Sequence, residues 1–254
     1  MTLEVSVLGQ RVHAVTMGEI SVLIGEAIGG RHKIVVANHN LHSVYLAERS
    51  PRMRQFFDRA DVIHFDSMPL VAYARLLGHS VARHHRTTYL DLLPPLLSAA
   101  SEGGWKVFYL GGKPGVAAEA ASILERQHEG LQLETHHGYF DHSRHSSENA
   151  QVLERIRDFG TNLLLVGMGM PLQEHWIEEN ADLVHANAIL TAGACFDYVA
   201  GDVPAPPRWA GQIGLEWLFR LAAEPKRLAK RYLIEPWFLV PLAIRDIAAR
   251  TRLK

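Results

Sequence analysis

The chain reads as an α/β protein, one mostly parallel sheet with helices on both faces. Three observations predict this. At least six short apolar strand candidates alternate with helix-spaced patterns along 254 residues. The run Leu163-Leu164-Leu165-Val166 is continuously apolar, as a central strand covered on both faces requires. Two glycine-rich stretches, Gly111-Gly112-Lys113-Pro114-Gly115 and Gly167-Met168-Gly169-Met170-Pro171, each turn such a strand into a helix.

Taken in order, residues 3–8 alternate as a strand, and Ile20, Leu23, Ile24 and Ala27 give the next stretch helical spacing. Residues 34–37 form a strand that ends at Asn38-His39-Asn40, where either asparagine suits the cap of the helix through Val44 and Leu46. Residues 61–65 form the third strand and end at Asp66. An aspartate at the carboxyl end of a strand lies where open α/β sheets build their sites, and it is equally suited to capping the helix that opens at Met68-Pro69-Leu70. An apolar helix follows over 92–100, then a strand over 105–110, the first glycine-rich turn, and a helix through Ala121 and Leu124. A strand over 131–135 and a helix over 152–156 lead into the strand at 163–166. After it, Pro171 suits the first turn of a helix through Trp176, whose N-terminal N–H groups are expected to hold an anion. Gln173 and Glu174 in that turn are placed to face one crevice, unless this is an ordinary surface helix start with both side chains solvated. Residues 188–191 are the last strand. This gives an α/β domain over residues 1–207, the one expected to carry any catalytic site at its strand ends, and a basic amphipathic helical appendage over 208–254.

Composition narrows the class. Hydrophobic residues at 48% and charged residues at 21% describe an ordinary globular protein. The net charge of −1 argues against bulk nucleic-acid affinity, yet residues 214–254 hold nine Lys/Arg against four Asp/Glu, leaving 17 basic and 23 acidic residues elsewhere. A basic tail on an acidic body suggests a surface for anions or anionic lipid. The N-terminus lacks the pattern of a signal peptide, no stretch reaches the ~18 apolar residues of a membrane span, and the single cysteine, Cys195, reads as a core residue. A cytoplasmic location is expected. The first glycine-rich turn lacks the ending of a P-loop and a clean G-x-G-x-x-G, which counts against triphosphate hydrolysis and dinucleotide oxidoreduction. With no D-x-D triplet, and with His39, His42, His84 and His85 unaccompanied at ligand spacing, neither a metal nor another cofactor is expected.

Several motifs together resemble one family. Val166-Gly-Met-Gly-Met-Pro-Leu-Gln-Glu-His-Trp176 is similar to the V-G-x-G-x-P-x-Q-E-x-W signature of the WecG/TagA/CpsF glycosyltransferases. Gly111 to Gly115, His137-Gly138-Tyr139-Phe140, Gly193 with Phe196-Asp197, Glu216-Trp217 with Arg220-Leu221, and Glu224-Pro225 with Arg227 and Arg231-Tyr232 extend the likeness over most of residues 34–233. It implies a Rossmann-like α/β sheet and transfer of a sugar from a UDP-sugar donor to a polyprenyl-diphosphate-linked saccharide, at the inner face of the cytoplasmic membrane. It implies Asp66 as general base, although Ser67 stands where the family has glycine. It places Gln173 beside Asp66 in catalysis. Asn38, Asn40, Gly111, Gly112, Gly167, Gly169, Glu174 and Asp197 would hold the donor, with Arg86 on its phosphate and Asp91 orienting Arg86. Tyr89 replaces a usual glycine in the Arg86-x-Thr88 segment. Arg220, Arg227 and Arg231 would bind the acceptor diphosphate, in a protein that could also self-associate.

The residues alone leave two further functions open. One is another sugar-nucleotide enzyme, such as an epimerase, or a methyltransferase using the G-x-G turn; the other is a non-catalytic peripheral membrane module.

Overall fold

The computed structural model describes residues 3–251. Eight strands form one sheet: β1 (Leu3–Val7), β2 (Gln10–Ala14), β3 (Ile34–His39), β4 (Val62–Phe65), β5 (Lys106–Gly111), β6 (Gln132–His136), β7 (Leu163–Gly167) and β8 (Ala188–Thr191). Their spatial order is β1-β2-β4-β3-β8-β7-β5-β6, and every pairing is parallel except β1 with β2. The α/β, Rossmann-like class expected from the sequence is the observed one.

The β1–β2 hairpin was not foreseen. Its two-residue loop, Leu8-Gly9, has both residues at positive φ, 53° and 74°, the backbone that joins twisted strands most directly. Leucine is a rare occupant of that conformation.

Helices cover both faces. α1 (Met17–Gly30) opens on a capping box: the Thr16 side chain accepts from the Glu19 N–H while Glu19 accepts from the Thr16 N–H. With α5 (Tyr89–Gly103), α6 (Val116–Gln127) and α9 (Cys195–Ala200) it buries one face around Leu97, Val107, Leu165 and Phe196. On the other face lie α2 (Leu41–Arg49), α3 (Pro51–Arg59), α7 (Ser147–Phe159) and α8 (Leu172–Asn180), packed on Phe108, Leu164 and Ile189. α8 is anchored by Trp176, whose indole N–H donates to Asn149 Oδ1 at 2.7 Å inside this core. α4 (Met68–Leu76) joins the hairpin in a third cluster with Phe65 and Leu239.

The C-terminal run is α10 (Arg208–Gln212), α11 (Glu216–Ala223) and α12 (Pro225–Ala229), then a π turn (Lys230–Ile234), a 3₁₀ turn (Glu235–Leu239) and α13 (Val240–Thr251). From Pro225 onward the chain is helical almost without a break. Pro236 and Pro241 each sit in the first turn of a new element, so the segment does not continue as one helix and the missing N–H groups cost little. This run docks on the sheet's hairpin edge, where Asp246 Oδ2 accepts from Leu8 N at 2.6 Å and Tyr73 Oη donates to the Ala243 carbonyl at 3.0 Å.

Candidate active site

The residues following β3, β4, β7 and β8, the four middle strands, surround a cavity of about 400 Å³ at their carboxyl ends. The N-terminus of α5 and Tyr198 of α9 close its sides. Gly214, Trp217, Arg220, Arg227, Arg231, Tyr232 and Pro236 of the C-terminal run form a roof.

Asp66 follows directly on β4 and lines the cavity. Ser67, not Asp66, is the cap residue of α4, so the capping alternative does not hold. Asn40 holds Asp66 instead. Its Oδ1 caps α2 by accepting from His42 N and Ser43 N, at 3.0 and 3.1 Å, and its Nδ2 donates to Asp66 Oδ2 at 3.0 Å. One asparagine thus serves as both cap and carboxylate partner. Asn38, also on the wall, accepts at Oδ1 from Thr191 Oγ1 at 2.9 Å, and that hydroxyl lies 3.2 Å from Tyr89 Oη. Beneath Asp66, His64 and His39 are fully buried. Burial lowers both, with the charge of His64 adding to the effect on His39, which falls to about 3. Both imidazoles belong to the core beneath the site.

Gln173 reaches the cavity wall but turns its amide toward backbone. Its Oε1 accepts from Gly169 N and from Gly193 N, each at 3.2 Å, and so ties the β7 turn to the β8 turn. The Gly169 N–H expected to receive an anion is taken by this bond. Pro171 is the cap residue of α8, which begins at Leu172, one position later than the sequence suggested. Glu174 is buried at 1% exposure and does not line the cavity; its Oε1 accepts from Gln173 Nε2 at 2.7 Å. Burial pushes its carboxyl up to about 7.

Gly111, Gly112, Gly167, Asp91 and Asp197 also stand off the cavity wall. Gly111 and Gly167 are register partners on adjacent strands. A Cβ at Gly111 would lie 2.3 Å from the Gly167 carbonyl oxygen, and one at Gly167 would lie 2.2 Å from Tyr109 Oη. Close strand approach explains both glycines. Gly112 has φ +68°, and its missing Cβ faces Asp197 Oδ1 at 3.2 Å, so this turn and Asp197 adjoin one another beside the cavity. Burial raises the Asp197 carboxyl, assisted by the neighbouring Asp202. Burial likewise pushes the Cys195 thiol up, as fits a core residue.

Arg86 lies on the wall, where its Nη2 donates to Glu216 Oε2 of the roof at 2.5 Å and its Nη1 lies 3.7 Å from Asp91 Oδ2. Asp91 in turn accepts from Thr88 Oγ1 at 2.7 Å. Arg220 and Arg231 present buried Nε atoms without a hydrogen-bond partner among the described residues, and both lie within electrostatic reach of Asp66. Arg227 lines the cavity rim, exposed and paired with Glu224. His42 Nδ1 lies 2.5 Å from Glu235 Oε2, a second tie between body and roof. Glu235 was not singled out in the sequence, and His42 and Glu216 were named there without these partners. Their partners are 130 and 193 residues away, and no local pattern encodes contacts at that separation.

The fold and the site define an α/β protein with a carboxylate at a strand end beneath an arginine-rich roof, a construction suited to an anionic small molecule. Residues 5–253 match the family model described as the Glycosyl transferase WecG/TagA/CpsF family, and the chain belongs to that family. Among the described residues no helix is long and apolar enough to cross a membrane.

Proposed function

We propose that the protein moves a sugar from a UDP-sugar to a saccharide carried on polyprenyl diphosphate, by one inverting displacement with Asp66 as base. The observation that carries this reading is the placement of Asp66 on the cavity wall, held by Asn40, within reach of Arg220 and Arg231. The acceptor hydroxyl gives its proton to Asp66 while its oxygen bonds to the anomeric carbon. The bond from that carbon to the donor phosphate breaks, and its electron pair leaves with UDP. Positioned general-base help of this kind contributes on the order of 10²–10⁴-fold. Arg86 takes up donor phosphate by exchanging the Glu216 carboxylate for it, and the roof arginines hold the acceptor diphosphate, since a planar guanidinium matches phosphate oxygens. Developing charge is met by these arginines in place of a dedicated metal ion.

The roof also supports a membrane-surface location. Ile234, Trp237, Phe238, Val240, Ile244 and Ile247 are exposed apolar residues of the C-terminal run, beside the basic residues of α12 and the π turn. Such a face rests on an anionic bilayer, each nearby Lys or Arg adding about 1 kcal/mol.

The test is a panel of UDP-sugars with a lipid-diphosphate saccharide, with and without chelator. We expect transfer that survives chelation, and at least a ~10²-fold lower turnover in Asp66→Asn with donor affinity retained. Conversion of the UDP-sugar without any acceptor would favour an epimerase, and near-normal turnover of Asp66→Asn would remove the base.

A further inference from the structure

Two turns border the cavity on adjacent strands: Gly169 after β7 and Gly193 after β8. One atom, Gln173 Oε1, accepts from both backbone N–H groups at 3.2 Å. A carboxamide is nearly symmetric in shape, and rotating it by half a turn would aim its NH₂ group at two N–H donors. That arrangement breaks both bonds and places donors against donors. The two N–H donors select the oxygen end of the amide, and Gln173 Nε2 fixes the other end by donating to Glu174 Oε1 at 2.7 Å.

We infer that Glu174 is a positioning residue, an acceptor that fixes the Gln173 amide so that its oxygen clamps the Gly169 and Gly193 turns at a set separation. Three features support this. Both side chains are buried to 1% exposure, so solvent offers no alternative acceptor for Gln173 Nε2. Glu174 does not line the cavity and therefore acts on it only through a neighbour. Its second oxygen, Oε2, is buried without a hydrogen-bond partner among the described residues, so no other side chain there competes for the carboxyl through that atom. A proton on Oε2 leaves Oε1 free to accept, and the clamp persists in either protonation state of the acid. A buried carboxyl costs folding free energy when ionised, and an acid serving only as core filler would be better replaced by an apolar residue. The acceptor function accounts for an acid at this place.

The kinetic consequence rests on the proposed transfer reaction; the structural one does not. Amide exchange read by NMR on ¹⁵N-glycine-labelled protein reports Gly169 and Gly193 directly. In Glu174→Met, which keeps an unbranched side chain but lacks a strong acceptor, both amides should exchange about tenfold faster, the effect of losing one orienting hydrogen bond. Glu174→Gln retains an acceptor oxygen and should restore protection. Glu174→Leu, in the same measurement, serves if the Met variant does not fold. Unchanged protection of both glycines in a folded variant without the acceptor would overturn the inference.

The kinetic arm is a double-mutant cycle. Glu174→Met should lower kcat with KM little changed, and should lower it no further in a Gln173→Ala background, because the orienting partner has nothing left to orient. Multiplicative losses would mean that Glu174 acts independently of Gln173, and would also overturn the inference. Full turnover in Gln173→Ala, with glycine exchange responding as expected, would uphold the orienting role and place the failure in the catalytic reading of Gln173.

Discussion

Replacing Glu174 with glutamine should change how stability depends on pH, and the size of the change follows from its burial. The carboxyl is 1% exposed and titrates near 7 in the folded protein against an ordinary value of 4.5, because burial penalises its charge more than the Gln173 bond and the charge of Arg231 favour it. A folded-state value above the unfolded one means that the native protein binds the extra proton. Stability from this group is then complete below about pH 4.5 and is lost as pH rises toward 7. At about 1.4 kcal/mol per pH unit, wild type should lose about 2–3 kcal/mol between roughly pH 5 and pH 8.5 that Glu174→Gln does not lose. Urea unfolding of both proteins at several pH values measures this. The difference between the two curves cancels any pH-independent cost of fitting the second amide, and it cancels other titrating groups common to both. Parallel curves over that interval would refute the reasoning, and a difference that opened toward low pH would reverse its sign.

Three further outcomes follow from the geometry. Gly167→Ala should lose about 2–4 kcal/mol in the same urea assay, because its Cβ would meet Tyr109 Oη at 2.2 Å and the Gly193 carbonyl oxygen at 2.6 Å, neither free to withdraw; stability like wild type would contradict the close approach. Glu216→Gln should weaken the tie on Arg86 and lower the donor KM several-fold, whereas a raised KM would mean that Glu216 organises the donor site instead of occupying it. Trp237→Ser combined with Ile244→Ser, both exposed, should abolish sedimentation with anionic liposomes while thermal unfolding is unchanged; retained sedimentation would move membrane contact elsewhere.

What could be read from the sequence was what local pattern encodes. The apolar run at β7, the alternation of strands with helices and the strand-end position of Asp66 all emerge from periodicity and turn chemistry. α3 was missed although its signal is present: Ser50-Pro51 opens it and Met53, Phe56 and Phe57 share one buried face. The β1–β2 hairpin left a weaker trace, because Leu8-Gly9 does not resemble the usual asparagine-glycine turn. Gly111 and Gly167 were read as donor-binding glycines; the structure adds a second reason for glycine, a neighbouring strand too close for a Cβ, which is a fact of pairing register that no single segment contains. The same limit applies to Arg86 with Glu216 and His42 with Glu235. Each partner is ordinary in its own stretch, and the pair has meaning only once the roof lies over the cavity.

The charge pattern then acquires a location. The whole chain carries a formal charge of −1, yet the charged residues on the cavity wall are Arg86, Arg220, Arg227 and Arg231 against Asp66 and Glu216. Four cations and two anions give the wall a net of +2 inside a faintly acidic protein. A concave site concentrates such a field, and an anionic ligand is drawn to it in preference to the outer surface. Under the proposed transfer reaction, a diphosphate would answer this excess and supply acceptors for the Nε atoms of Arg220 and Arg231, which have no hydrogen-bond partner among the described residues. Arg220, Arg227 and Arg231 with Glu216 come from the roof, while Arg86 and Asp66 of the body cancel, so the whole excess is the roof's and neither half makes the site alone. The body brings the carboxylate, and the roof brings the positive charge that the proposed reaction would use on a diphosphate.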